Sequence, residues 1–272
     1  MKNEKRKEET GWVNRQGIRL AYSRTGSGES WLFLHGMRDT QAIWDPVREA
    51  LSGRCSMITM DLRGHGWSDK PSGEYSFDIL VDDIDFLIHE LGLAPVNVAG
   101  HSLGGSLALY LAIRYPADVK RLACFGCGVS PSLHHFKPQV ENLTPAQIVE
   151  HLIPSFFPKP RRTLSDETVD RVRDKVVLNW LHETEPHIHH ALNNLKRVDL
   201  LPLLDRIKVP TFCIFAELDK VGLPRFGEMI VERVENGRLT VLEDLGHFFF
   251  LEAPDRFLQV MLPVLAGTYD IW

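Results

Sequence analysis

The chain has 272 residues, of which 44% are apolar and 25% charged, a balance typical of a folded globular protein rather than a disordered or fibrous one. Its formal net charge of −5 gives no reason to expect a polyanionic partner, so we predict no nucleic-acid binding. No apolar run is long enough for a membrane span or typical of a secretory signal, which predicts a cytoplasmic protein that does not bind membranes.

The first part of the chain shows a charged segment followed by strand patterns. Residues 1–9 mix both charge signs and are predicted to form a disordered tail. Residues 18–24 alternate apolar and polar side chains after a turn ending at Gly17, which predicts an antiparallel hairpin. Further buried strands are predicted at 31–36, 55–62, 95–100, 119–126, 210–216 and 237–243, giving about eight in all.

Helical patterns alternate with these strands, which is typical of a mainly parallel sheet. Helices are predicted near 42–51, 76–92, 103–115, 224–235 and 253–266. Ser76 and Gly92 are suited to cap the second of them.

After Gly128 the alternation stops, and about 75 residues pass before the next strand. Helical patterns at 144–157, 165–183 and 186–197 predict a helical lid there, with a capping box at Thr144 and Gln147. We therefore predict an α/β fold: a mainly parallel eight-stranded sheet flanked by helices, with a helical lid inserted after the sixth strand. The predicted core is 1–128 with 205–272, and the predicted lid is 129–204.

The cysteines and the histidine-rich segments give no metal signature. Cys55, Cys124, Cys127 and Cys213 lie in apolar runs and are predicted to be reduced and buried. The histidines near 134–135 and 187–190 have no cysteine or carboxylate partners at ligand spacing, which favours a solvated helix face. No metal and no cofactor is predicted.

The sequence Gly100-His101-Ser102-Leu103-Gly104 interrupts an apolar strand and starts a helix. Gly-x-Ser-x-Gly at a strand-to-helix turn is the pattern of a nucleophile elbow, in which glycines remove Cβ atoms that would collide with neighbouring elements. Ser102 is therefore the candidate nucleophile. A chance Gly/Ser turn is the alternative.

A serine needs a base and an orienting acid, expected in the order Ser, acid, His after late strands. His247 follows the last predicted strand and precedes a helix, so it is the candidate base. Asp219 lies just beyond the preceding strand and is the candidate acid. Glu217 is too close to that strand, and Asp244 is only three residues from the base.

Two backbone N–H groups are candidates for an oxyanion hole. Leu103 opens the helix after Ser102, where its N–H is free. Met37 follows His35-Gly36 at the end of a predicted strand, and Gly36 lets the chain turn there.

Four motifs in this order resemble the α/β-hydrolase superfamily, in particular its lid-bearing serine esterase and peroxidase-like branch. They are HGMRDT (35–40), DLRGHGWSDKP (61–71), GHSLGG (100–105) and LGHFFFLEAPD (245–255). The resemblance spans nearly the whole chain and implies Ser102, Asp219 and His247 as a triad. Ala216 departs from it, because relatives usually carry Gly before the acid loop.

The resemblance implies a hydrolase. Related dehalogenases and epoxide hydrolases carry aspartate at the elbow, so Ser102 favours cleavage of a small-to-medium, largely apolar ester, thioester or lactone through an acyl-enzyme. The alternative is a non-hydrolytic ligand receptor or pathway catalyst on the same fold. A carbon–carbon bond hydrolase, which tends to have Trp where this chain has Phe248, and a cofactor-free perhydrolase are ranked lower. The expected partner is a small-molecule substrate, and the oligomeric state is left open.

The predicted substrate pocket takes residues from the motifs and from the lid. Its candidates are His35, Arg38, His101, Phe156, Phe157, Trp180 and Phe248. The aromatic residues could equally pack the lid onto the core, and Arg38 could bind a substrate carboxylate or form an ion pair. The basic run 159–162 could contact an anionic substrate or simply be exposed.

Overall fold

One eight-stranded sheet forms the centre of the structure, a computed structural model that describes residues 8–133, 144–159, 161–183 and 186–268. Its strands are β1 (Glu9–Arg15), β2 (Ile18–Gly26), β3 (Ser30–Leu34), β4 (Ser56–Met60), β5 (Val96–His101), β6 (Val119–Phe125), β7 (Thr211–Ala216) and β8 (Gly237–Leu242). In space they follow the order β1-β2-β4-β3-β5-β6-β7-β8. The pairs β1–β2 and β2–β4 are antiparallel, and the other neighbours are parallel. The predicted α/β fold is confirmed.

The helices connect the strands largely where the sequence predicts them. They are α1 (Asp45–Ser52), α2 (Phe77–Glu90), α3 (Leu103–Arg114), α4 (Pro145–Phe156), α5 (Asp166–Glu183), α6 (Pro186–Asn193), α7 (Pro224–Arg233), α8 (Phe249–Glu252) and α9 (Pro254–Ala266). Short 3-10 turns span Gln41–Trp44 and Leu201–Arg206. Ser76 caps α2, because its side chain accepts the N–H of Ile79 at 3.2 Å.

The helix predicted at 253–266 differs in one respect. Ala253 has a non-helical backbone, with φ of −143° and ψ of 70°, and separates a short helix α8 from the long helix α9. Pro254 then occupies the first turn of α9, where its missing N–H costs no hydrogen bond. The extra turn α8 packs Phe249 and Phe250 into the core.

Both faces of the sheet are covered because successive side chains of a strand point to opposite faces. In β3, Leu32 and Leu34 belong to the apolar cluster that α2, α3 and α7 cover, whereas Trp31 and Phe33 belong to the cluster that α1 and α9 cover. A strand buried on both sides has no polar face, which explains its continuous apolar sequence.

The segment between β6 and β7, residues 129–204, is called the insertion below. It contains α4, α5 and α6, and the predicted capping box is present: the side chain of Thr144 accepts the N–H of Gln147, and that of Gln147 accepts the N–H of Thr144. Residues of α4 and α5 join the core cluster under α1 and α9, and residues of α6 join the other cluster. The insertion is therefore packed on the core.

Two expectations concern the edges of the described chain. Of the tail predicted at 1–9, Glu9 pairs with Arg24 in the hairpin and Glu8 lies 3.4 Å from Arg48, whereas residues 1–7 lie outside the described part. Across the described ranges, we find no helix with the length and apolarity that a membrane crossing requires.

Candidate active site

Ser102 lies at a sharp turn between β5 and α3. Its backbone has φ of 52° and ψ of −115°, a left-handed conformation that is strained for serine. A Cβ on Gly100 would lie 2.3 Å from the carbonyl oxygen of Gly104, and one on Gly104 would lie 2.4 Å from that of Leu34. Only glycine fits at these two positions, so the glycine spacing in the sequence is a packing requirement of this turn.

His247 and Asp219 form a buried pair. Nδ1 of His247 lies 2.7 Å from Oδ2 of Asp219, and both residues are almost inaccessible to solvent. The other carboxylate oxygen, Oδ1, accepts the N–H of Val221 at 2.8 Å and of Gly222 at 2.9 Å. These bonds fix the carboxylate, so that Nδ1–H donates to it and Nε2 is left as the acceptor of the ring.

The two carboxylates that compete with Asp219 in the sequence have other partners. Glu217 accepts the N–H of Asp244 at 2.7 Å and pairs with Arg162. Asp244 accepts the N–H of Arg162 at 2.8 Å and the hydroxyl of Thr163 at 2.7 Å. Burial opposes ionisation of Asp244, yet these hydrogen bonds lower its pKa to about 2. Both carboxylates therefore hold the insertion rather than His247.

Ser102 and His247 line the same cavity, whose volume of about 410 Å³ suits a small molecule. Met37 and Leu103 line it as well. Because Leu103 is the first residue of α3, its N–H has no partner within the helix. Asp219 lies against His247 and is shielded from the cavity by it.

Three of the predicted aromatic residues line the cavity: Phe156, Trp180 and Phe248. The insertion supplies the first two, and their rings meet edge to face at 5.3 Å. The fourth, Phe157, is not among the described residues that line the cavity. Its ring stacks on that of Phe248 at 5.4 Å with an interplanar angle of 12°, so Phe157 packs against a residue that lines the cavity.

The predicted pocket residues His35 and His101 are not among the described residues that line the cavity. His35 accepts the N–H of Leu62 at Nε2 and donates from Nδ1 to the carbonyl of Gly36. His101 donates from Nε2 to the carbonyl of His247 at 3.0 Å. Burial lowers the pKa of His35 to about 4 and that of His101 well below its usual range. Both rings are neutral, and both form hydrogen bonds with nearby backbone groups.

Sequence reasoning missed Asp39, which lies next to the predicted pocket residue Arg38. Asp39 lines the cavity, is 1% exposed, and accepts the indole N–H of Trp180 at 3.0 Å. Burial raises its pKa to about 7, against the hydrogen bond from Trp180 and the charge of His247. Asp39 lies in the motif at 35–40, two residues after Met37. This position is the sequence feature from which its place in the site could have been predicted.

Asn193 and Arg197 were missed as well, and both line the cavity with Arg38. A guanidinium N–H of Arg38 donates to the side-chain oxygen of Asn193. Nothing in the local sequence marks these residues. Asn193 ends α6 and Arg197 follows it, and both reach the cavity only through the packing of the insertion.

The basic run at 159–162 holds the insertion together and to the core. Lys159 lies 2.7 Å from Asp170, and Arg162 pairs with Glu217. Arg161 is buried, with a guanidinium nitrogen 3.0 Å from Oε2 of the equally buried Glu252. The described residues of the run therefore form ion pairs within the protein, and these pairs explain their positive charges without a contact to substrate.

The described side chains include one group with metal-ligand spacing: Asp85, His89 and Asp118, whose ligand atoms lie within 4.8 Å of one another. His89 Nε2 lies 3.3 Å from Asp118, and more than half of its side-chain surface is exposed, which is typical of a surface ion-pair cluster. The side chains of His134, His135, His187, His189 and His190 lie outside the described residues.

Known proteins resemble this chain along most of its length. Human monoacylglycerol lipase ABHD6 is 27% identical, over 95% of this chain and 82% of its own. The (E)-2-((N-methylformamido)methylene)succinate hydrolase of Acinetobacter baylyi is 25% identical, over 91% of this chain and 94% of its own. The enol-lactonase from Burkholderia xenovorans shares the fold with a TM-score of 0.82, at 22% identity over 94% of this chain and 100% of that one.

The family model of the alpha/beta hydrolases matches residues 31–260. This range runs from β3 into α9 and includes the turn at Ser102 and the pair Asp219–His247. The sequence match, the sheet order and the strained turn after β5 agree, and the chain belongs to the alpha/beta hydrolase family.

Proposed function

We propose that the protein is a serine hydrolase that cleaves a small-to-medium, largely apolar carboxylic ester, thioester or lactone through an acyl-enzyme on Ser102. The observation that carries this proposal is the 2.7 Å hydrogen bond between Asp219 and His247, beside a cavity that His247 shares with the strained Ser102. A relative named as a monoacylglycerol lipase supports ester hydrolysis at the level of the family, and one named as a succinate-derivative hydrolase supports hydrolysis more generally.

The proposed reaction follows from the hydrogen bond between His247 and Asp219. Since Nδ1–H donates to Asp219, Nε2 is free to accept the proton of the Ser102 hydroxyl while Oγ attacks the substrate carbonyl. The N–H groups of Met37 and Leu103 would hold the oxyanion of the tetrahedral intermediate. His247 then protonates the leaving group and activates the water that hydrolyses the acyl-enzyme.

The insertion supplies the second half of the proposed site. Residues 129–204 are proposed to act as the lid of the core formed by 8–128 and 205–268, because Phe156 and Trp180 close the cavity beside His247. Their apolar rings suit an acyl chain, and excluding water from the cavity strengthens the hydrogen bonds to the oxyanion.

A fluorophosphonate is expected to label Ser102 of the wild type, detected by the mass of the intact protein. Ser102→Ala should abolish the label and lower the hydrolysis of short 4-nitrophenyl esters by about 10³-fold or more. Ser106→Ala is the matched control: Ser106 also lines the cavity, but its hydroxyl donates to the carbonyl of Gly128 at 2.8 Å, so the label should remain. Normal turnover by Ser102→Ala would end the proposal.

The same assay separates the candidate acids. Asp219→Asn keeps the shape of the pair but favours the wrong tautomer of His247, and kcat should fall by about 10³- to 10⁴-fold. Glu217→Gln is the matched control at the same loop. A wild type that hydrolyses no ester, thioester or lactone of a graded panel would favour a non-hydrolytic binder.

A further inference from the structure

The loop that carries His247 is bonded to the insertion at both of its ends. At the first end, the carbonyl of Asp244 accepts a guanidinium N–H of Arg161 at 3.2 Å. At the other end, the N–H of His247 donates to the carbonyl of Phe156 at 3.1 Å. Arg161 lies 83 residues before Asp244 in the sequence, so these contacts exist only because the insertion packs on the core.

Gly246, the residue before His247, is linked to the insertion through a buried ion pair. Its N–H donates to Oε2 of Glu252 in α8 at 2.9 Å. The same oxygen lies 3.0 Å from Nη2 of Arg161, and neither charged side chain has any exposed surface. Solvent therefore screens their attraction little, and Glu252 is held between Arg161 and Gly246.

The close approach of the insertion explains the glycine at position 246. A Cβ built on Gly246 would lie 2.6 Å from Nη2 of Arg161, 2.6 Å from the carbonyl oxygen of Phe156 and 2.8 Å from Oε1 of Glu252. These distances are too short for a carbon atom, and the oxygen of Phe156 belongs to the backbone at the end of α4. Only glycine lets the insertion come this close to the residue before His247.

The chemistry of this ion pair suits positioning better than stability. An apolar pair of similar volume often stabilises a fold as well as a buried ion pair does, but it offers no acceptor to the N–H of Gly246. Burial raises the pKa of Glu252, against the charge of Arg161 and the hydrogen bond from Gly246. The charges of Asp219 and His247 act on this pKa as well, so Glu252 lies close to the proposed acid and base.

We propose that Arg161 and Glu252 are positioning residues for His247: together they fix the backbone of Gly246, and the insertion thereby sets the position of the imidazole relative to Ser102. Asp219 fixes the rotation of the ring through Nδ1, but the place of the ring also depends on its backbone. A displacement of about 1 Å between reacting groups can slow a reaction by about 100-fold. This inference rests on the proposed function for the role of His247 as the base. The placement of the ring itself requires no hydrolysis.

The kinetic test uses two double variants that differ only at position 252. Arg161→Met with Glu252→Leu replaces the ion pair by an apolar pair, whereas Arg161→Met with Glu252→Gln keeps an oxygen for the N–H of Gly246. Both changes leave the net charge beside His247 as it is. With 4-nitrophenyl esters, the Glu252→Leu double variant should lower kcat by about 10- to 100-fold and change KM by less than about threefold, because the cavity walls remain. The Glu252→Gln double variant should recover most of kcat.

The matched control is an ion pair that lies wholly within the insertion. Lys159 and Asp170 are 2.7 Å apart, and Lys159→Met with Asp170→Leu should keep the kcat and KM of the wild type. Unfolding in urea establishes that each variant is folded before its kinetics are compared. Wild-type kcat in the Glu252→Leu double variant would overturn the positioning role, and so would a Glu252→Gln double variant that is equally slow.

A second measurement does not depend on hydrolysis. The Nδ1 proton of a histidine that donates to a carboxylate gives a proton NMR resonance far downfield of the amide protons, and its loss in Asp219→Asn assigns this resonance to His247. The Glu252→Leu double variant should shift or broaden the resonance, whereas the Glu252→Gln double variant and the control should not. An unchanged resonance in the Glu252→Leu double variant would overturn the positioning role. The expected change of the resonance, in a protein that hydrolyses no ester, thioester or lactone, would reject only the proposed function.

Discussion

Asp39 shows how far the chemistry of a residue depends on its surroundings. It is one of two adjacent charged residues in the loop after β3, and burial raises its pKa to about 7 from the ordinary value of 3.8. The neutral carboxyl accepts the N–H of Trp180. It also lies close enough to His247 for the charge of that residue to affect its pKa. Its ionisation would therefore change both the stability of the protein and the electrostatics beside the proposed base.

We expect Asp39 to make stability fall as the pH rises from about 4 to 7. In this window the folded state retains a proton that the unfolded chain has lost, so each step up in pH favours unfolding. Asp39→Asn removes the titration and keeps an oxygen for Trp180. The free energy of unfolding in urea, wild type minus variant, should decrease from pH 4 to pH 7.

The control for this titration is Asp205→Asn, at an exposed carboxylate. Its unfolding free energy should run parallel to that of the wild type over the same pH range. A difference between wild type and Asp39→Asn that stays constant with pH would show that Asp39 is already ionised at pH 4.

At the scale of elements, the insertion is tied to the loop that carries His247. The carbonyl of Phe156 at the end of α4 accepts the N–H of His247 at 3.1 Å. Glu252 in α8 accepts the N–H of Gly246 at 2.9 Å and pairs with the buried Arg161. The insertion therefore helps to set the position of the imidazole, in addition to covering the cavity.

Breaking the buried pair should be costly. Glu252→Ala leaves the Arg161 guanidinium buried without its counter-ion, and we expect the free energy of unfolding in urea to drop by about 3–5 kcal/mol. Glu74→Ala, which breaks an exposed pair with Lys196, should cost less than about 1 kcal/mol. The double variant Arg161→Met, Glu252→Leu should recover most of the loss. A small effect of Glu252→Ala would mean that Arg161 reaches solvent.

At the scale of the whole molecule, the four cysteines report on the integrity of the core. Cys55, Cys124, Cys127 and Cys213 are free and buried. Burial raises the pKa of Cys55 to about 12 and that of Cys213 well above its usual range. A thiol that is both inaccessible and protonated is a poor nucleophile.

We therefore expect none of the four thiols to react with Ellman's reagent in the native protein at neutral pH, and all four to react in denaturing urea. The absorbance of the released thionitrobenzoate counts the reactive thiols. Pre-incubation with dithiothreitol should leave both counts unchanged, because no disulfide has to be reduced. A thiol that reacts quickly without urea would contradict the closed core.

The sequence by itself determined the fold and the local form of the elements. Period-two and period-3.6 patterns, together with capping residues such as Ser76 and Thr144, act over a few neighbouring residues, so strands and helices could be located to within a few positions. Gly100 and Gly104 marked the turn at Ser102 because their spacing around the serine is visible in the sequence, although the Cβ that Gly104 lacks would collide with the carbonyl of Leu34 in another strand. The pair Asp219–His247 could be predicted because each residue follows a strand, and the carboxyl ends of parallel strands lie at the same edge of the sheet.

Only the tertiary structure decided which side chains meet in the cavity. Three predicted pocket residues do not line the cavity: His35, His101 and Phe157. The two histidines hydrogen-bond to backbone groups, and the ring of Phe157 stacks on Phe248. Asp39 and Arg197 line the cavity because the insertion packs on the core: Trp180 of α5 donates to Asp39, and Arg197 follows α6. Packing between distant segments leaves no short-range pattern in the sequence. This packing decides which charged groups surround these residues and how much water reaches them, and both factors set their chemistry.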